Sequence, residues 1–258
     1  MEANPATQYA TDANLRARQV LWEISPREPP FQLFPWVLDL ANVRDGDRVL
    51  EVGCGNGGYL ALVEAVGLDA SIGMARTARE RAIGPVVCGD AAQLPFRDAS
   101  FDVVLAPHML YHVADRRAAI GELRRVLKAD GQCIAVTNGT QCHRELVELI
   151  EGVVAHGWRL RRPADIAFSL ENGGDQLRAG FDHVERVDAP FGVVLVRDAA
   201  ALGDYVASMG DHYEAEIASW MTWDAVAAEC RNRAARVIAT NGHFAISSAV
   251  GAFVCRST

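Results

Sequence analysis

The chain has 258 residues, of which 50% are hydrophobic and 22% charged, and its formal net charge is −8. This composition is typical of a soluble globular protein, and the length fits one domain with additions. The acidic charge argues against a nucleic-acid backbone as partner, and no apolar run is long enough to span a membrane. The first residues lack the basic and apolar regions of a secretion signal. We therefore predict a cytoplasmic protein with neither nucleic-acid nor membrane partners.

The cysteine pattern argues against disulfides and metals. Six cysteines occur, and none of them forms a C-x-x-C pair. Several fall in predicted strands, which is typical of reduced, buried thiols in a protein from inside the cell. Cys142 and His143 are adjacent, but a metal site needs more ligands at workable spacing. We predict no metal site.

The first 41 residues are predicted to be mainly helical. A helix over 12–24 is indicated by an apolar side and an N-cap at Asp12, and prolines follow it closely. The strongly apolar segment 31–41 predicts a second helix that lies against a sheet.

Strands and helices then alternate along the chain. Alternation of this kind predicts right-handed crossovers and a parallel sheet. One helix is predicted at 115–128, with Asp115 as its N-cap and a buried apolar stripe. Beyond residue 138 we predict helices over 140–155 and most of 198–240. The predicted strands are 48–53, 66–69, 86–89, 101–106, 132–137, 181–189, 193–196 and 244–255.

A glycine-rich turn follows the first strand of this alternation. The sequence from Val49 to Gly57 is VLEVGCGNG, an apolar strand with an acidic residue that runs into closely spaced glycines. Glycine allows a tight turn and lets a ligand lie against the backbone. A helix predicted from Tyr59 to Val63 would point its free N–H groups at that ligand. The turn therefore predicts a site for a nucleotide-type cofactor.

Two cofactors fit this turn. Gly53, Gly55 and Gly58 satisfy the G-x-G-x-x-G spelling of a dinucleotide site, which leaves an NAD-dependent oxidoreductase as an alternative. The longer pattern of strand, Glu51 and three glycines resembles motif I of the class I methyltransferases that use S-adenosylmethionine. Four stretches resemble later motifs of that family in the same order: 68–71, 86–91, 93–104 and 122–131. An oxidoreductase offers no explanation for the second and fourth of these.

The resemblance covers residues 48–137 and is closest to small-molecule enzymes like those of methyltransferase family 11. It implies an α/β fold, a Rossmann-like three-layer sandwich with a seven-stranded, mainly parallel sheet whose last strand is antiparallel. It implies S-adenosylmethionine as cofactor and S-adenosylhomocysteine as product. Residues 1–258 would form a single methyltransferase domain, in which 1–30 is a lid segment and 139–180 and 197–243 are helical inserts that cap the substrate.

The resemblance also implies roles for individual residues. Glu51 would bind the cofactor's ammonium group, Asp69 the ribose hydroxyls, and Asp90 with the backbone N–H of Ala91 the adenine edge. Asp69 follows Gly53 by 16 residues, where about 20 is usual, which predicts a shortened first helix or second strand. The predicted cofactor-binding residues are Glu51, Gly53, Cys54, Gly55, Gly57, Asp69, Ala70, Asp90, Ala91 and Ala106, with Tyr9 and Arg18 from the lid.

The loop after the fourth strand holds the candidates for catalysis. His108 and His112 are four residues apart and would share one face if the segment is helical. Imidazole titrates near working pH, so either could act as a general base. His112 could equally be structural, because many members of the family carry a histidine there whatever their substrate. Tyr111 could line the pocket or pack. For His143 the alternatives are substrate contact and an ordinary surface position. Substrate contact and ordinary packing are the alternatives for His212, Tyr213, Trp220 and Trp223.

These observations predict methyl transfer from S-adenosylmethionine to an O or N atom, or to a C atom, of a small organic molecule in bacterial secondary or cofactor metabolism. A protein that binds S-adenosylmethionine without methylating would keep the same motifs. Such a protein would be structural, a cyclase or an eliminase, and it stays an alternative beside the oxidoreductase.

Overall fold

The computed structural model describes residues 13–154, 157–160 and 167–257, except for the side chain of His212. The chain divides into two compact units. We call the first the helix-rich unit; it comprises Met1–Phe31, Gln141–Arg162 and Pro190–Ala249. The second is the seven-stranded unit, which comprises Gln32–Thr140, Pro163–Ala189 and Val250–Thr258. Residues 163–180, predicted as part of an insert, are thus grouped with the seven-stranded unit.

The strands of both units are numbered in chain order. They are β1 (Arg27–Glu28), β2 (Val49–Val52), β3 (Val66–Asp69), β4 (Val86–Cys88), β5 (Phe101–Pro107), β6 (Leu127–Asn138), β7 (His183–Asp188), β8 (Gly192–Val196), β9 (Phe244–Ser248) and β10 (Val250–Arg256).

The helices are numbered in the same way, and Asp12, the predicted cap of the first, lies outside the described residues. They are α1 (Ala13–Ile24), α2 (Leu33–Ala41), α3 (Ile72–Arg81), α4 (Arg116–Val126), α5 (Arg144–Val154), α6 (Gly173–Leu177), α7 (Ala199–Ala207), α8 (Gly210–Ile217) and α9 (Trp223–Asn241), with a 3-10 turn at Leu110–His112.

The seven-stranded sheet has the order β4-β3-β2-β5-β6-β10-β7. β2 pairs in parallel with β3 and β5, while β10 pairs antiparallel with both β6 and β7. The predicted fold class, with its antiparallel last strand, is confirmed. Because β2, β3, β4 and β5 are parallel neighbours, their carboxyl ends lie along one edge of the sheet.

The strand predicted over 244–255 is two strands in different sheets. β9 pairs with β8, which also pairs with β1, so these three form a separate antiparallel sheet in the helix-rich unit. β10 begins one residue after Ala249 and pairs within the large sheet. The continuous apolar pattern concealed this break, because both strands are largely buried.

The helix predicted from Tyr59 to Val63 is wrong, since the segment forms successive turns. The N–H of Leu62 donates to the carbonyl of Tyr59 at 2.8 Å, and β3 begins at Val66. Leu60 packs against β3 so closely that a Cβ at Gly67 would lie 2.4 Å from its Cδ1. The short spacing between Gly53 and Asp69 therefore comes from loss of the first helix.

Helix termini and one apolar core hold the seven-stranded unit together. The side chain of Asp115 caps α4 by accepting from the N–H of Ala118, as predicted, and Ser71 caps α3 through the N–H of Met74. α4 buries Ile120, Leu123 and Val126 in the core that also contains β2 and β5. Within the part of the chain that the structure describes, no helix is both long and apolar enough to cross a membrane.

Candidate cofactor site

Three glycines form a left-handed loop directly after β2. Gly53, Gly55 and Gly57 have φ angles of 74°, 52° and 83°, a region that side chains disfavour. A Cβ at Gly53 would lie 2.5 Å from Cβ of Met109, and one at Gly57 would lie 3.0 Å from Cα of Ala78. Glycine is thus required at these two positions for both backbone conformation and close approach.

Hydrogen bonds attach this loop to the end of β3. The N–H groups of Gly53 and Cys54 donate to the carbonyl of Leu68 at 2.7 and 3.0 Å. One carboxylate oxygen of Asp69 accepts from the N–H of Gly55 at 2.8 Å, and the other accepts from Ser71 at 2.8 Å. Burial raises the pKa of Asp69, and these two hydrogen bonds oppose the rise. Each oxygen keeps a lone pair for a further donor.

Glu51 lies at the end of β2 with 2% of its surface exposed. Its Oε2 atom is buried and has no hydrogen-bond partner among the described residues. Burial, and then the charge of Asp69, raise the pKa of Glu51 well above its usual value. A buried acceptor without a donor costs free energy, so such an atom indicates a ligand that completes it.

Asp90 lies just beyond β4 and organises the next turn. Its side chain accepts from the N–H of Ala92 at 2.8 Å, and its carbonyl accepts from Gln93 at 3.0 Å. The N–H of Gly89 donates to the carbonyl of Asp69 at 3.0 Å, which joins this turn to the end of β3. Asp90 is exposed and Ala91 is buried. The structure thus brings Glu51, Asp69 and Asp90 to one edge of the sheet.

His108 begins the loop after β5 in a strained conformation. Its φ is 52°, which is uncommon for a residue with a side chain, and such strain clusters at functional sites. Its N–H donates to the carbonyl of Val136 at 2.9 Å. Burial lowers the pKa of His108 to about 4. This shift favours the uncharged imidazole at neutral pH, and the role of His108 as a general base stays a prediction.

The two candidate histidines do not share a helical face. His108 precedes the 3-10 turn Leu110–His112, and its left-handed backbone prevents a helix from including both residues. His112 is exposed, and its ring lies 4.5 Å from that of Tyr111. Met109, between them in sequence, packs against Gly53 and so joins this loop to the glycine loop.

The remaining predicted cofactor residues have varied surroundings. Cys54 and Ala106 are buried, and burial raises the pKa of the Cys54 thiol. Ala70 is exposed after β3. Arg18 belongs to the helix-rich unit, where its guanidinium donates to the side chain and carbonyl of Ser208 at 3.1 and 3.0 Å. Its contact with the cofactor stays a prediction, and Tyr9 lies outside the described residues.

The aromatic residues of the helix-rich unit pack against each other. Tyr213 and Trp223 are stacked with ring centroids 5.3 Å apart, and Trp158 meets both edge-on. Trp223 Nε1 donates to the carbonyl of Val206 at 2.7 Å. The ring of His143 stacks on Trp22 at 4.6 Å. The side chain of His212 is not described, and Trp220 is 49% exposed.

Sequence reasoning did not single out Tyr59. This residue is 4% exposed, and its hydroxyl is buried with no hydrogen-bond partner in the described structure. The signal in the sequence was weak, because a tyrosine two residues after a glycine loop reads as ordinary core. No group of three or more His, Cys, Asp or Glu residues that could hold a metal ion occurs in the described ranges.

Comparison with known sequences places the similarity in the seven-stranded unit. Residues 50–135 match the model of a methyltransferase domain. A demethylmenaquinone methyltransferase from Mycobacterium sp. (strain KMS) is 35% identical over 109 residues, 40% of this chain and 47% of that protein. The uncharacterized methyltransferase YcgJ from Bacillus subtilis is 32% identical over 142 residues, 50% of this chain and 54% of that protein. The chain spans about half or less of the length of such curated relatives.

Solved structures share the fold at lower identity. The crystal structure of YcgJ has a TM-score of 0.58 and 22% identity, and the match covers 87% of this chain and 98% of that chain. The [4+2]-cyclase SpnF has a TM-score of 0.53 and 21% identity, with 87% of this chain and 80% of that chain covered.

The domain match and the sheet order together define the class. The match lies entirely within the seven-stranded unit and includes the glycine loop, Asp69 and Asp90. The chain therefore carries a class I S-adenosylmethionine-dependent methyltransferase domain. The predicted family is confirmed, and with it S-adenosylmethionine as the cofactor of this domain.

Proposed function

We propose that the chain transfers a methyl group from S-adenosylmethionine to an O or N atom, or to a C atom, of a small organic molecule. The observation that carries the proposal is the buried, unpartnered Oε2 of Glu51 beside a left-handed glycine loop. A cationic group with N–H donors would complete this acceptor, and the ammonium of the cofactor's amino-acid part is such a group.

We propose that each of three acidic residues binds a different part of the cofactor. Glu51 would accept hydrogen bonds from the ammonium, Asp69 from the ribose hydroxyls, and Asp90 with the Ala91 N–H would bind the adenine edge. Asp69 fits its role because its oxygens are held by Gly55 and Ser71 and keep one lone pair each. The glycines let the backbone approach the ligand without a side chain in the way.

Methyl transfer at this site would depend more on aligning the acceptor with the methyl group than on general acid–base catalysis. The bound cofactor supplies a methyl group that is activated by the positive charge on sulfur. The chain must then hold an acceptor in line with that methyl and exclude water. We propose that His108, in the loop after β5, accepts a hydrogen bond from the acceptor's O–H or N–H and so orients the acceptor's lone pair. Its lowered pKa makes it a weak base, so the proposal favours acceptors that need little help in losing a proton.

The substrate class and setting rest on broader features. The net charge of −8 disfavours a nucleic-acid substrate. One relative is named for methylation of demethylmenaquinone, a small molecule. We propose that residues 1–30, 139–180 and 197–243 supply the substrate contacts. We also propose that the protein acts in the cytoplasm, in bacterial secondary or cofactor metabolism.

A second function is favoured by one specific comparison. The fold is shared with SpnF, which is described as a [4+2]-cyclase, so fold similarity extends beyond methyltransferases by name. A protein that binds S-adenosylmethionine without transferring its methyl would keep Glu51, Asp69 and Asp90. Binding alone cannot separate the two functions, whereas formation of S-adenosylhomocysteine can.

The test combines titration with turnover. Calorimetric titration with S-adenosylmethionine, S-adenosylhomocysteine and NADH should show micromolar binding of the first two and no binding of the third. A panel of phenols, carboxylic acids and amines, followed by mass-spectrometric detection of S-adenosylhomocysteine and a product heavier by one methylene, then tests methyl transfer. Binding of NADH alone would contradict the proposal, and cofactor-dependent conversion without S-adenosylhomocysteine would favour the second function.

A further inference from the structure

We infer that Tyr59 forms, with Glu51, a two-residue seat for the amino-acid end of the cofactor. The inference rests on the proposed function and deepens it, because it adds a binding residue that neither the motif nor the family match indicates. Its basis is the pair of buried, unpartnered oxygens that the seven-stranded unit places next to its glycine loop.

The ring of Tyr59 is firmly held while its hydroxyl is not. Phe34 from α2 meets the ring edge-on, with centroids 4.5 Å apart and an angle of 80° between the planes. Gly58 makes room for Phe34, since a Cβ there would lie 2.9 Å from Cζ of that ring. A buried hydroxyl without a partner is costly, and phenylalanine would fill the same space without that cost. The hydroxyl is therefore the part of Tyr59 that needs a ligand.

Glu51 lies close enough to Tyr59 for its charge to act on the phenol. Burial is the larger cause of the raised pKa of Tyr59, and the charge of Glu51 adds to it. Neither Glu51 Oε2 nor the Tyr59 hydroxyl has a hydrogen-bond partner in the described residues, so they do not satisfy each other. A carboxylate oxygen and a phenolic hydroxyl, both buried, are thus left without a protein partner and can bind a third group.

The chemistry of the two oxygens selects the ligand group. Glu51 offers a carboxylate oxygen, and the protonated phenol offers lone pairs and one O–H. An α-amino acid matches this set, because its ammonium donates several N–H bonds and its carboxylate can accept the phenolic O–H. The neutral sugar and base of a nucleoside have no cation to place between these oxygens. Tyr59 should therefore distinguish the whole cofactor from its nucleoside part.

The decisive experiment compares two ligands with one variant. Tyr59→Phe removes only the hydroxyl and keeps the packing against Phe34. We expect it to weaken binding of S-adenosylmethionine and S-adenosylhomocysteine about five- to tenfold, the size of one lost hydrogen bond. Binding of 5′-methylthioadenosine, which lacks the amino-acid part, should stay within about twofold of wild type, since no contact to it is lost.

Controls separate this role from a structural one. Tyr213→Phe removes the hydroxyl of a buried tyrosine in the helix-rich unit and should leave both cofactor affinities unchanged. Without ligand, Tyr59→Phe should be at least as stable as wild type, because an unsatisfied hydroxyl is removed. Glu51→Gln should weaken S-adenosylmethionine binding, and the double variant should lose less than the product of the two single losses.

The outcomes are distinguishable. Wild-type protein that binds neither S-adenosylmethionine nor 5′-methylthioadenosine contradicts the proposed function and this inference together. Wild-type protein that binds S-adenosylmethionine, with Tyr59→Phe binding it equally well, overturns the inference alone. Equal weakening of both ligands by Tyr59→Phe also overturns it, because the hydroxyl would then act on the whole site.

Discussion

The two units of the molecule treat their buried polar groups differently. In the helix-rich unit such groups have protein partners: Trp223 Nε1 donates to Val206, and Ser247 donates to the Glu145 carboxylate at 2.6 Å through its hydroxyl. Arg27 Nε is an exception, although its guanidinium lies 4.4 Å from the ring centroid of Phe31. In the seven-stranded unit, Glu51 Oε2 and the Tyr59 hydroxyl beside the glycine loop, and Ser257 Oγ after β10, have no hydrogen-bond partner among the described residues. Buried polar groups in native proteins are normally hydrogen-bonded. Two unpartnered oxygens beside one loop therefore indicate a ligand site more specifically than the aromatic cluster of the helix-rich unit does.

This difference predicts that substitutions in the helix-rich unit lower stability without changing cofactor affinity, whereas substitutions at the glycine loop change both. The largest effect is expected for Trp223→Ala, since Trp223 is 2% exposed and central to the aromatic packing. Urea unfolding followed by circular dichroism should show a loss of about 3–5 kcal/mol. The folded fraction should bind S-adenosylmethionine with wild-type affinity. Where the alanine variant does not fold, Trp223→Phe serves, and a tenfold weaker cofactor affinity in it would instead place this residue in the ligand site.

Alanine variants of two glycines test whether close packing at the glycine loop is needed. Gly53→Ala introduces a Cβ 2.5 Å from Met109 at a φ of 74°, whereas Gly46→Ala has a φ of 89° and nothing within 4 Å. We expect Gly53→Ala to lower the free energy of unfolding by about 2–4 kcal/mol through strain and overpacking. Gly46→Ala should cost about 1–2 kcal/mol through strain alone.

Calorimetry on the same two variants then tests the site. Cofactor binding should be lost in Gly53→Ala and kept in Gly46→Ala. Equal affinities in both variants would show that the approach of Met109 to the loop does not shape the cofactor site.

The pH dependence of stability tests the surroundings of His108. The pKa of His108 is lowered to about 4 in the folded protein, against about 6.5 when unfolded. The unfolded state therefore binds more protons between these values, so this contribution is full above pH 6.5 and is lost as pH falls toward 4. His108→Asn removes the titration and tolerates the left-handed backbone.

Wild type should lose up to about 3 kcal/mol more than His108→Asn between pH 7 and pH 4. Urea unfolding at several pH values in this window measures the difference. Parallel pH profiles for the two proteins would mean that the imidazole is hydrated in the folded state.

Helix caps give the smallest expected effects. Ser71 accepts from the N–H of Met74 in the seven-stranded unit, and Thr222 accepts from the N–H of Ala225 in the helix-rich unit, both at 3.2 Å. Ser71→Ala and Thr222→Ala should each cost about 1 kcal/mol in thermal unfolding. Neither should change cofactor affinity more than about twofold, because the Ser71 N–H that binds Asp69 is retained. A larger change for Ser71→Ala alone would extend the site to that hydroxyl.

The sequence predicted most of the seven-stranded unit. β2 to β5 were predicted within a residue or two, and Asp115 was predicted as a cap, because alternation and capping are local signals. The prediction of a helix at Tyr59–Val63 was wrong, because Leu60 packs closely on β3 and the segment forms turns instead. The condition for a shared helical face of His108 and His112 is not met, because His108 has a left-handed φ and its N–H donates to the carbonyl of Val136 in β6.

The features that the sequence did not predict depend on contacts between residues far apart in the chain. Nothing local distinguishes β9 from β10, because only their partners, β8 on one side and β6 with β7 on the other, separate them. Tyr59 was missed because a hydroxyl without a partner is recognised only after every neighbour is known. The roles of individual site residues remain predictions that the titrations above test.

The raised pKa of Glu51 couples cofactor binding to the protonation of this carboxyl. Its raised pKa favours the protonated form while the site holds no cation, and an ammonium group that arrives there favours the ionised form. Where this carboxyl is protonated before binding, the cofactor's arrival releases that proton to the buffer. The heat of binding would then vary with the buffer's own ionisation enthalpy, and acidification would weaken cofactor binding.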